Sequence, residues 1–175
     1  IEQYGLGSYI ETRRCDGLAD IGHGEGDTLV IAGMGGPLME RILTDGRSVW
    51  EDFQEMILQP QSDIPHFRHF LLENGFRITE EEMILEDGKF YPILKVDRKT
   101  EEQTLPWSIQ EEMFGRFLLE KRHPVLKKYL ERELRIHEEI LERLKEAAGE
   151  SAVKRKKEIE EERQLILAAL NHYES

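Results

Sequence analysis

Apolar positions in the first hundred residues follow strand and helix periods in turn. The segment DTLVIAGM, residues 27 to 34, is almost continuously apolar, as is typical of a strand buried in a parallel sheet, and a glycine turn and a helical stretch follow it. A second such unit has a strand over residues 55 to 59, Pro60, and a helix from about residue 63 to 74. A further short strand is expected over residues 9 to 14, where the pattern alternates.

Two more strands are predicted near residues 76 to 86 and 89 to 96. Asp87-Gly88 joins them, and this dipeptide favours tight hairpins. Parallel strands that alternate with helices and end in an antiparallel hairpin indicate an α/β fold. We therefore expect a doubly wound sheet with an antiparallel edge strand.

The remaining chain has a helical, heptad-like pattern. Pro124 suits the first turn of a helix, and a seam follows at spacings of four and three residues: Leu130, Leu134, His137, Leu141, Leu144 and Ala148. After Gly149, a second helix from about residue 150 carries a matching stripe, which Lys156 and Arg163 interrupt: Ile159, Ile166, Leu170 and Tyr173. The pattern predicts an antiparallel coiled-coil hairpin within one chain, with pairing between two chains as the alternative. We expect a sheet domain over residues 1–104 and a helical extension over 105–175.

Composition narrows the class of protein. The chain has 175 residues, of which 39% are hydrophobic, enough for one α/β domain with a smaller attachment. No apolar run approaches the roughly 20 residues needed to span a bilayer. Cys15 is the only cysteine, so no internal disulfide forms. These features favour a cytoplasmic protein without membrane contact.

Charge is unevenly distributed. The net charge of −12 argues against a surface that binds nucleic acid everywhere. Residues 121 to 135, however, contain six basic side chains against two acidic ones, and a second basic run follows at Lys154, Arg155, Lys156 and Lys157. These runs indicate either local contacts with phosphates or the solvated faces of charged helices.

Three short motifs follow predicted strands. Ligands of doubly wound sheets bind at the carboxyl ends of the strands, which places Asp16-Gly17, residues 33 to 36 and Gln59-Pro60 along one rim. Asp16 before Gly17 also fits a simple turn, and the glycines fit a tight strand-to-helix connection. His66 and His69 share a helix face but have no third ligand nearby in the sequence, so we predict no metal site.

The motifs as a set resemble a known family. The sequences RCDGL from residue 14, DTLVIAGMGGPLMERIL from residue 27, ILQPQSD from residue 57, NGFRI from residue 74 and KFYPIL from residue 89 are similar to those of the bacterial tRNA adenine-22 N1-methyltransferases. The match covers nearly all of residues 1 to 100, and the helical hairpin is similar to that family's C-terminal extension. The resemblance implies a class I, Rossmann-like methyltransferase with S-adenosylmethionine as cofactor and tRNA as substrate.

The resemblance also implies roles for the rim. Asp16 would accept a hydrogen bond from the adenine amino group of the cofactor, which Gly17, Ala32, Gly33 and Met34 would also contact. The target base would lie near Gly35, Gly36, Gln59, Pro60 and Tyr91, although Tyr91 also fits a core position on an edge strand. The tRNA backbone would meet Lys127, Lys128, Lys154, Arg155, Lys156 and Lys157. No catalytic side chain is predicted, because N1 of adenine attacks through its own lone pair.

Members of the family also carry an upstream glycine turn that holds the methionine end of the cofactor, and a strand with an acid for the ribose. The 175 residues contain neither, a difference of roughly 50 to 60 residues. We therefore expect a fragment of a longer protein, inactive by itself, in preference to a protein that has lost cofactor binding. We expect a monomer or weak homodimer. The alternative functions are a related RNA methyltransferase with another target and a non-catalytic RNA-binding or scaffolding protein.

Overall fold

The computed structural model describes residues 1–98, 106–146 and 149–174. A short 3-10 helix, Glu2–Tyr4, precedes the sheet and ends at Gly5, which has the left-handed conformation common after helices. The strands are β1 (Thr28–Met34), β2 (Glu55–Pro60), β3 (Phe76–Glu86) and β4 (Lys89–Arg98). The helices are α1 (Gly36–Asp45), α2 (Arg47–Trp50), α3 (Ile64–Glu73), α4 (Ile109–Phe114), α5 (Arg116–Glu120), α6 (Pro124–Leu144) and α7 (Glu150–Asn171).

The four strands form one mixed sheet in the order β1-β2-β4-β3. β1 and β2 are parallel, while β4 runs antiparallel to both β2 and β3. At the β3–β4 turn, Asp87 and Gly88 have φ of 48° and 75°, the positive pair that a two-residue hairpin turn requires. The structure confirms the α/β sheet with an antiparallel hairpin at its edge. The reversed strand is β4, the inner strand of that hairpin, while the edge strand β3 is antiparallel to β4 and so runs in the same direction as β1 and β2.

One face of the sheet forms the main core. Alternate strand residues are buried there against the apolar sides of α1 and α3, including Met56, Leu58 and Leu94 from the sheet and Met39 and Phe67 from the helices. Proline lies in the first turn of α1, α3 and α6, where its missing N–H has no helical partner to lose. The opposite face is more open, and Val30 on β1 is 63% exposed.

The predicted strand over residues 9–14 is wrong. These residues are irregular, and Tyr9 is 84% exposed. An alternating pattern gives a strand only where a neighbour satisfies its backbone N–H and C=O groups. Within the described residues, no strand lies beside this segment.

The predicted helical hairpin is confirmed within a single chain. His137 on α6 contacts Glu162 on α7 at 2.9 Å (Nε2 to Oε2), and Tyr173 near the end of α7 donates to the backbone oxygen of His123 before α6, at 3.0 Å. The two helices therefore run antiparallel. Their buried seam includes Leu130, His137, Ile159, Ile166 and Ala169. The predicted seam residue Ala148 lies outside the described residues.

A buried ion pair joins the sheet to α4 and α5, the helices that precede the hairpin. Arg68 on α3 donates from Nε to Oε1 of Glu81 on β3 at 2.8 Å, and from Nη1 to the backbone oxygens of Glu112 and Met113 at 3.0 Å. The second carboxylate oxygen of Glu81 accepts from the backbone N–H of Phe117 at 3.1 Å. The predicted domain boundary at residues 104 and 105 lies outside the described residues. Within the described ranges, no helix is both long and apolar enough to cross a bilayer.

Candidate active site

A bulge at Gly33 shapes the carboxyl end of β1. Ala32 pairs with Gln59 and Met34 with Pro60, so Gly33 has no partner of its own on β2. Its φ is 78°, a conformation that favours glycine. Its N–H donates to the side-chain oxygen of Gln59 at 2.9 Å, so Gln59 holds the bulge in place. Ala32, Gly33 and Met34 are exposed at this rim.

Gly35 and Gly36 allow two chain segments to approach closely. A Cβ on Gly35 would lie 2.8 Å from Oγ of Ser62, and one on Gly36 would lie 2.8 Å from the backbone oxygen of Ser62. The N–H of Gly36 also donates to that oxygen, at 3.1 Å. These glycines therefore position the β2–α3 loop, and Pro60 at the end of β2 is buried beneath it.

Asp16 lies on the exposed loop that precedes β1. Its carboxylate accepts a hydrogen bond from Nη2 of Arg41 on α1 at 3.2 Å, and its side chain is 78% exposed. Gly17 follows with φ of 59°, and a Cβ there would lie 3.2 Å from two carbons of Ile42. The loop thus lies against the second half of α1, whereas the Gly33 bulge adjoins the start of that helix. The described contacts therefore do not bring Asp16 and Gly17 together with the bulge, although one common rim was predicted. The Asp16 carboxylate remains accessible as a hydrogen-bond acceptor.

Tyr91 lies near the beginning of β4, opposite Ile84 on β3. Leu58 of β2 pairs with Leu94 of β4 in an antiparallel register, so β4 begins at the end of the sheet where β2 finishes. The half-buried Tyr91 therefore lies at the end of the sheet where β1 and β2 finish.

The basic residues fall at two levels of the hairpin. Lys127 and Lys128 lie in the first two turns of α6, next to the sheet, whereas Lys154, Arg155, Lys156 and Lys157 lie at the start of α7, near the far end. The antiparallel register and a rise of 1.5 Å per residue separate the two groups by about 20 Å or more. Carboxylates on α7 partly neutralise the far group: Arg155 lies 3.2 Å from Glu158 and Lys157 lies 3.7 Å from Glu161.

The two histidines of α3 each pair with a carboxylate. Nδ1 of His66 lies 2.9 Å from Glu40, and Nδ1 of His69 lies 3.2 Å from Glu112. The hydrogen bond to Glu112 raises the pKa of His69, which favours its protonated form. Across the described ranges, no three potential ligands are grouped as a metal would require.

Sequence reasoning missed the contacts made by Arg68 and Arg132. Arg132 lies with Cζ 5.5 Å from the ring centroid of Phe90, the residue before Tyr91. Arg68 follows Phe67 in the apolar pattern of α3. A buried cation needs a partner, so an arginine within such a pattern indicates that a carboxylate lies nearby in the fold. The pattern does not indicate which carboxylate that partner is.

The parallel β1–β2 pair, the glycine bulge at its carboxyl end and the closing antiparallel hairpin belong to a Rossmann-like methyltransferase fold, as comparison with solved structures shows. Two crystal structures share it over 97% of this chain. The Bacillus subtilis m1A22 tRNA methyltransferase TrmK has a TM-score of 0.81 at 30% identity, with 74% of its chain covered. The Streptococcus pneumoniae protein Sp1610 in complex with S-adenosyl-L-methionine has a TM-score of 0.82 at 29% identity, with 72% covered.

Sequence comparison defines the family. The family model for TrmK, tRNA (adenine(22)-N(1))-methyltransferase, matches residues 1–168. The tRNA (adenine(22)-N(1))-methyltransferase of Bacillus subtilis (strain 168) is 32% identical over 175 residues, covering 98% of this chain and 74% of the relative. The chain belongs to the tRNA (adenine(22)-N(1))-methyltransferase family.

Proposed function

We propose that this rim performs the family's reaction, transfer of a methyl group from S-adenosylmethionine to N1 of adenine 22 in tRNA. The observation that carries the proposal is the exposed bulge at Gly33, held by Gln59 at the carboxyl ends of two parallel strands. Ligands of such sheets bind at this edge. The bulge leaves backbone rather than bulky side chains at the position where a cofactor and a base must approach each other.

The residues present fit the adenine side of the cofactor. The exposed Asp16 carboxylate accepts hydrogen bonds only, so it suits an exocyclic amine. Gly17 keeps the adjoining turn close to α1, and the exposed segment from Ala32 to Met34 offers backbone groups and a flexible apolar side chain. S-adenosylmethionine supplies a methyl group activated by its sulfonium centre.

The chain's task toward the base is orientation. N1 of adenine carries a ring lone pair and loses no proton before attack, so neither a general base nor a metal ion is needed. N1 also lies on the Watson–Crick edge, and the base must therefore leave its pair or stack. Tyr91 offers an aromatic wall for the extruded base, while Gln59, Pro60, Gly35 and Gly36 keep the rim in shape. Alignment of this kind can lower an activation barrier substantially, because the reacting groups no longer have to find the right orientation.

The hairpin supplies the contacts with the tRNA backbone. Lys127, Lys128 and the basic run from Lys154 to Lys157 would bind phosphates at two levels. In the described parts of α6 and α7 the apolar seam residues are buried between the two helices of one chain, which supports a monomer or weak homodimer. A tRNA substrate supports a cytoplasmic location for the enzyme.

Nucleoside analysis tests this function. Unmodified tRNA transcripts with adenine or guanine at position 22 are incubated with the full-length enzyme and S-adenosylmethionine, then digested for mass spectrometry. We expect 1-methyladenosine from the first transcript alone. Methylation of both transcripts would indicate a different target, and tRNA binding without any methylation would favour a non-catalytic RNA-binding protein.

A further inference from the structure

A partly enclosed cavity of about 100 Å³ lies where the sheet meets the helical hairpin of α6 and α7. Side chains from α3, the β3–β4 hairpin, α4 and α6 line it, among them Met83, Phe90, Met113, Phe114 and Tyr129. We call this cavity the junction slot. None of the residues that line it belongs to the Gly33 bulge.

Two aromatic rings line part of the junction slot, and a cation lies over one of them. The half-buried rings of Phe90 and Tyr129 meet edge to face, with centroids 5.3 Å apart and planes at 72°. Arg132 covers Phe90 at 5.5 Å. Lys128 and Arg135 lie four and three residues from Arg132 along α6, and so share its side of the helix. Aromatic faces flanked by cations are the combination that binds unstacked bases and their phosphates.

Tyr129 also brings a hydroxyl group to the slot. Burial raises the pKa of Tyr129 to about 12, so its hydroxyl stays neutral and can donate a hydrogen bond. Among the described residues this hydroxyl has no protein hydrogen-bonding partner, and because no buried side-chain polar atom there lacks a partner, the hydroxyl reaches solvent. Arg68, which also lines the slot, is by contrast engaged by Glu81 and two backbone oxygens.

We propose that the junction slot receives one unstacked pyrimidine base of the tRNA, distinct from the adenine that is methylated. The inference rests on the proposed tRNA substrate. The slot is smaller than the roughly 150 Å³ apolar cavity that holds benzene, so a six-membered ring enters it only when the flexible side chains of Met83 and Met113 move aside. A two-ring purine would require a still larger opening. The Tyr129 hydroxyl would donate to a carbonyl oxygen of the pyrimidine. Phe90 precedes Tyr91, so the slot and the rim would hold nearby parts of one RNA.

Photo-crosslinking tests the contact directly. The full-length enzyme is irradiated with tRNA transcripts containing 4-thiouridine in place of uridine, and the crosslinked peptides are identified by mass spectrometry. Crosslinks to Phe90, Met113 or Tyr129 support the slot as a base site. Crosslinks confined to the rim or to α7 would overturn it. Crosslinking needs no methyl transfer, so an enzyme that fails to methylate adenine 22 counts against the proposed function and not against the slot.

Two variants test the energetic contribution. Met113→Trp fills the slot and is expected to raise the KM for tRNA about tenfold, within the range for loss of one stacked base, while the KM for S-adenosylmethionine stays unchanged. Tyr129→Phe removes only the hydroxyl and should raise the KM for tRNA about threefold. Tyr173→Phe is the matched control, because the Tyr173 hydroxyl is already bonded to His123. A folded Met113→Trp or Tyr129→Phe enzyme with the original KM for tRNA would show that the slot is only a packing void.

Discussion

At Gly115 the backbone between α4 and α5 turns with φ of 91°, and a Cβ there would lie 2.6 Å from Oε1 of Glu81. Arg68 holds the Glu81 carboxylate in a buried position, so the carboxylate cannot move away from an added Cβ. Gly115→Ala should therefore lower the free energy of unfolding by about 3 kcal/mol or more, through backbone strain and a displaced buried charge. Urea unfolding of the chain measures the loss.

Gly149 provides the matched control for that variant. Its φ is 109°, but a Cβ there would meet nothing within 4 Å. Gly149→Ala should therefore show the conformational cost alone, about 1 to 2 kcal/mol. Equal losses for the two variants would mean that Glu81 moves aside without penalty.

Asp16 makes its clearest contact with Arg41, and both side chains are largely exposed. We expect Asp16→Ala to weaken the binding of S-adenosylmethionine to the full-length enzyme by about 1.5 to 3 kcal/mol, the range for a hydrogen bond to a charged group. Calorimetric titration measures this, with Asp20→Ala, a change of an exposed aspartate on the same loop, as control. If the affinity for S-adenosylmethionine did not change, Asp16 would serve only to form the turn with Gly17.

The role of a single residue could be predicted from the sequence only where neighbouring residues in the chain determine that role. Gly33 lies near the end of β1, and its position at the rim could be expected from strand, glycine turn and helix in succession. Gly115 gave no such signal, because its constraint comes from Glu81, which is 34 positions away in the chain and fixed by a third residue, Arg68. Close contacts of this kind depend on tertiary packing rather than on any local pattern.

Elements were easier to predict than contacts. The heptad spacing located α6 and α7, and Asp87-Gly88 located the hairpin turn, because each pattern reflects local geometry. The segment over residues 9–14 failed because a strand also needs a neighbour. His137 shows the limit within a correctly predicted helix. The spacing placed it in the seam, whereas its partners there, the backbone oxygen of Glu133 at 2.7 Å and Glu162 at 2.9 Å, became visible only in the structure.

The His137 position yields a prediction for the hairpin. His137→Ala removes two hydrogen bonds and leaves a gap in the seam, so the free energy of unfolding should fall by about 2 kcal/mol. Glu162→Gln should cost much less, because this side chain is 43% exposed and the amide retains an oxygen that can accept. Thermal unfolding followed by circular dichroism compares them. If His137→Ala left the stability unchanged, the seam would not depend on its polar member.

On the scale of the whole molecule, the hairpin presents its second basic group far from the rim. Replacing Lys154, Arg155, Lys156 and Lys157 with neutral residues should weaken tRNA binding and flatten its salt dependence, by about 0.7 to 0.9 in the slope of log affinity against log salt for each lost contact. Three of these basic side chains already pair with Glu158 or Glu161. We therefore expect the variant to lose fewer than four phosphate contacts.

Two controls accompany this variant. The affinity for S-adenosylmethionine should not change, because the replaced residues lie at the far end of the hairpin from the rim. Sedimentation of the variant should match that of the original protein. An unaltered salt slope together with altered sedimentation would instead assign these residues to association between chains.

β3 has a consequence for how the molecule folds. Its first half contributes Phe76 and Ile78 to the main core, and Met83 further along contributes to the apolar cluster beneath the hairpin. The Arg68–Glu81 pair lies between the two clusters, and neither member has another charged partner of comparable burial in the described residues. Melting of either cluster would disrupt the same strand and expose that pair. We therefore expect a calorimeter to record one cooperative heat-absorption peak for sheet and hairpin together, so that the hairpin behaves as an integral part of the folding unit rather than as a detachable module.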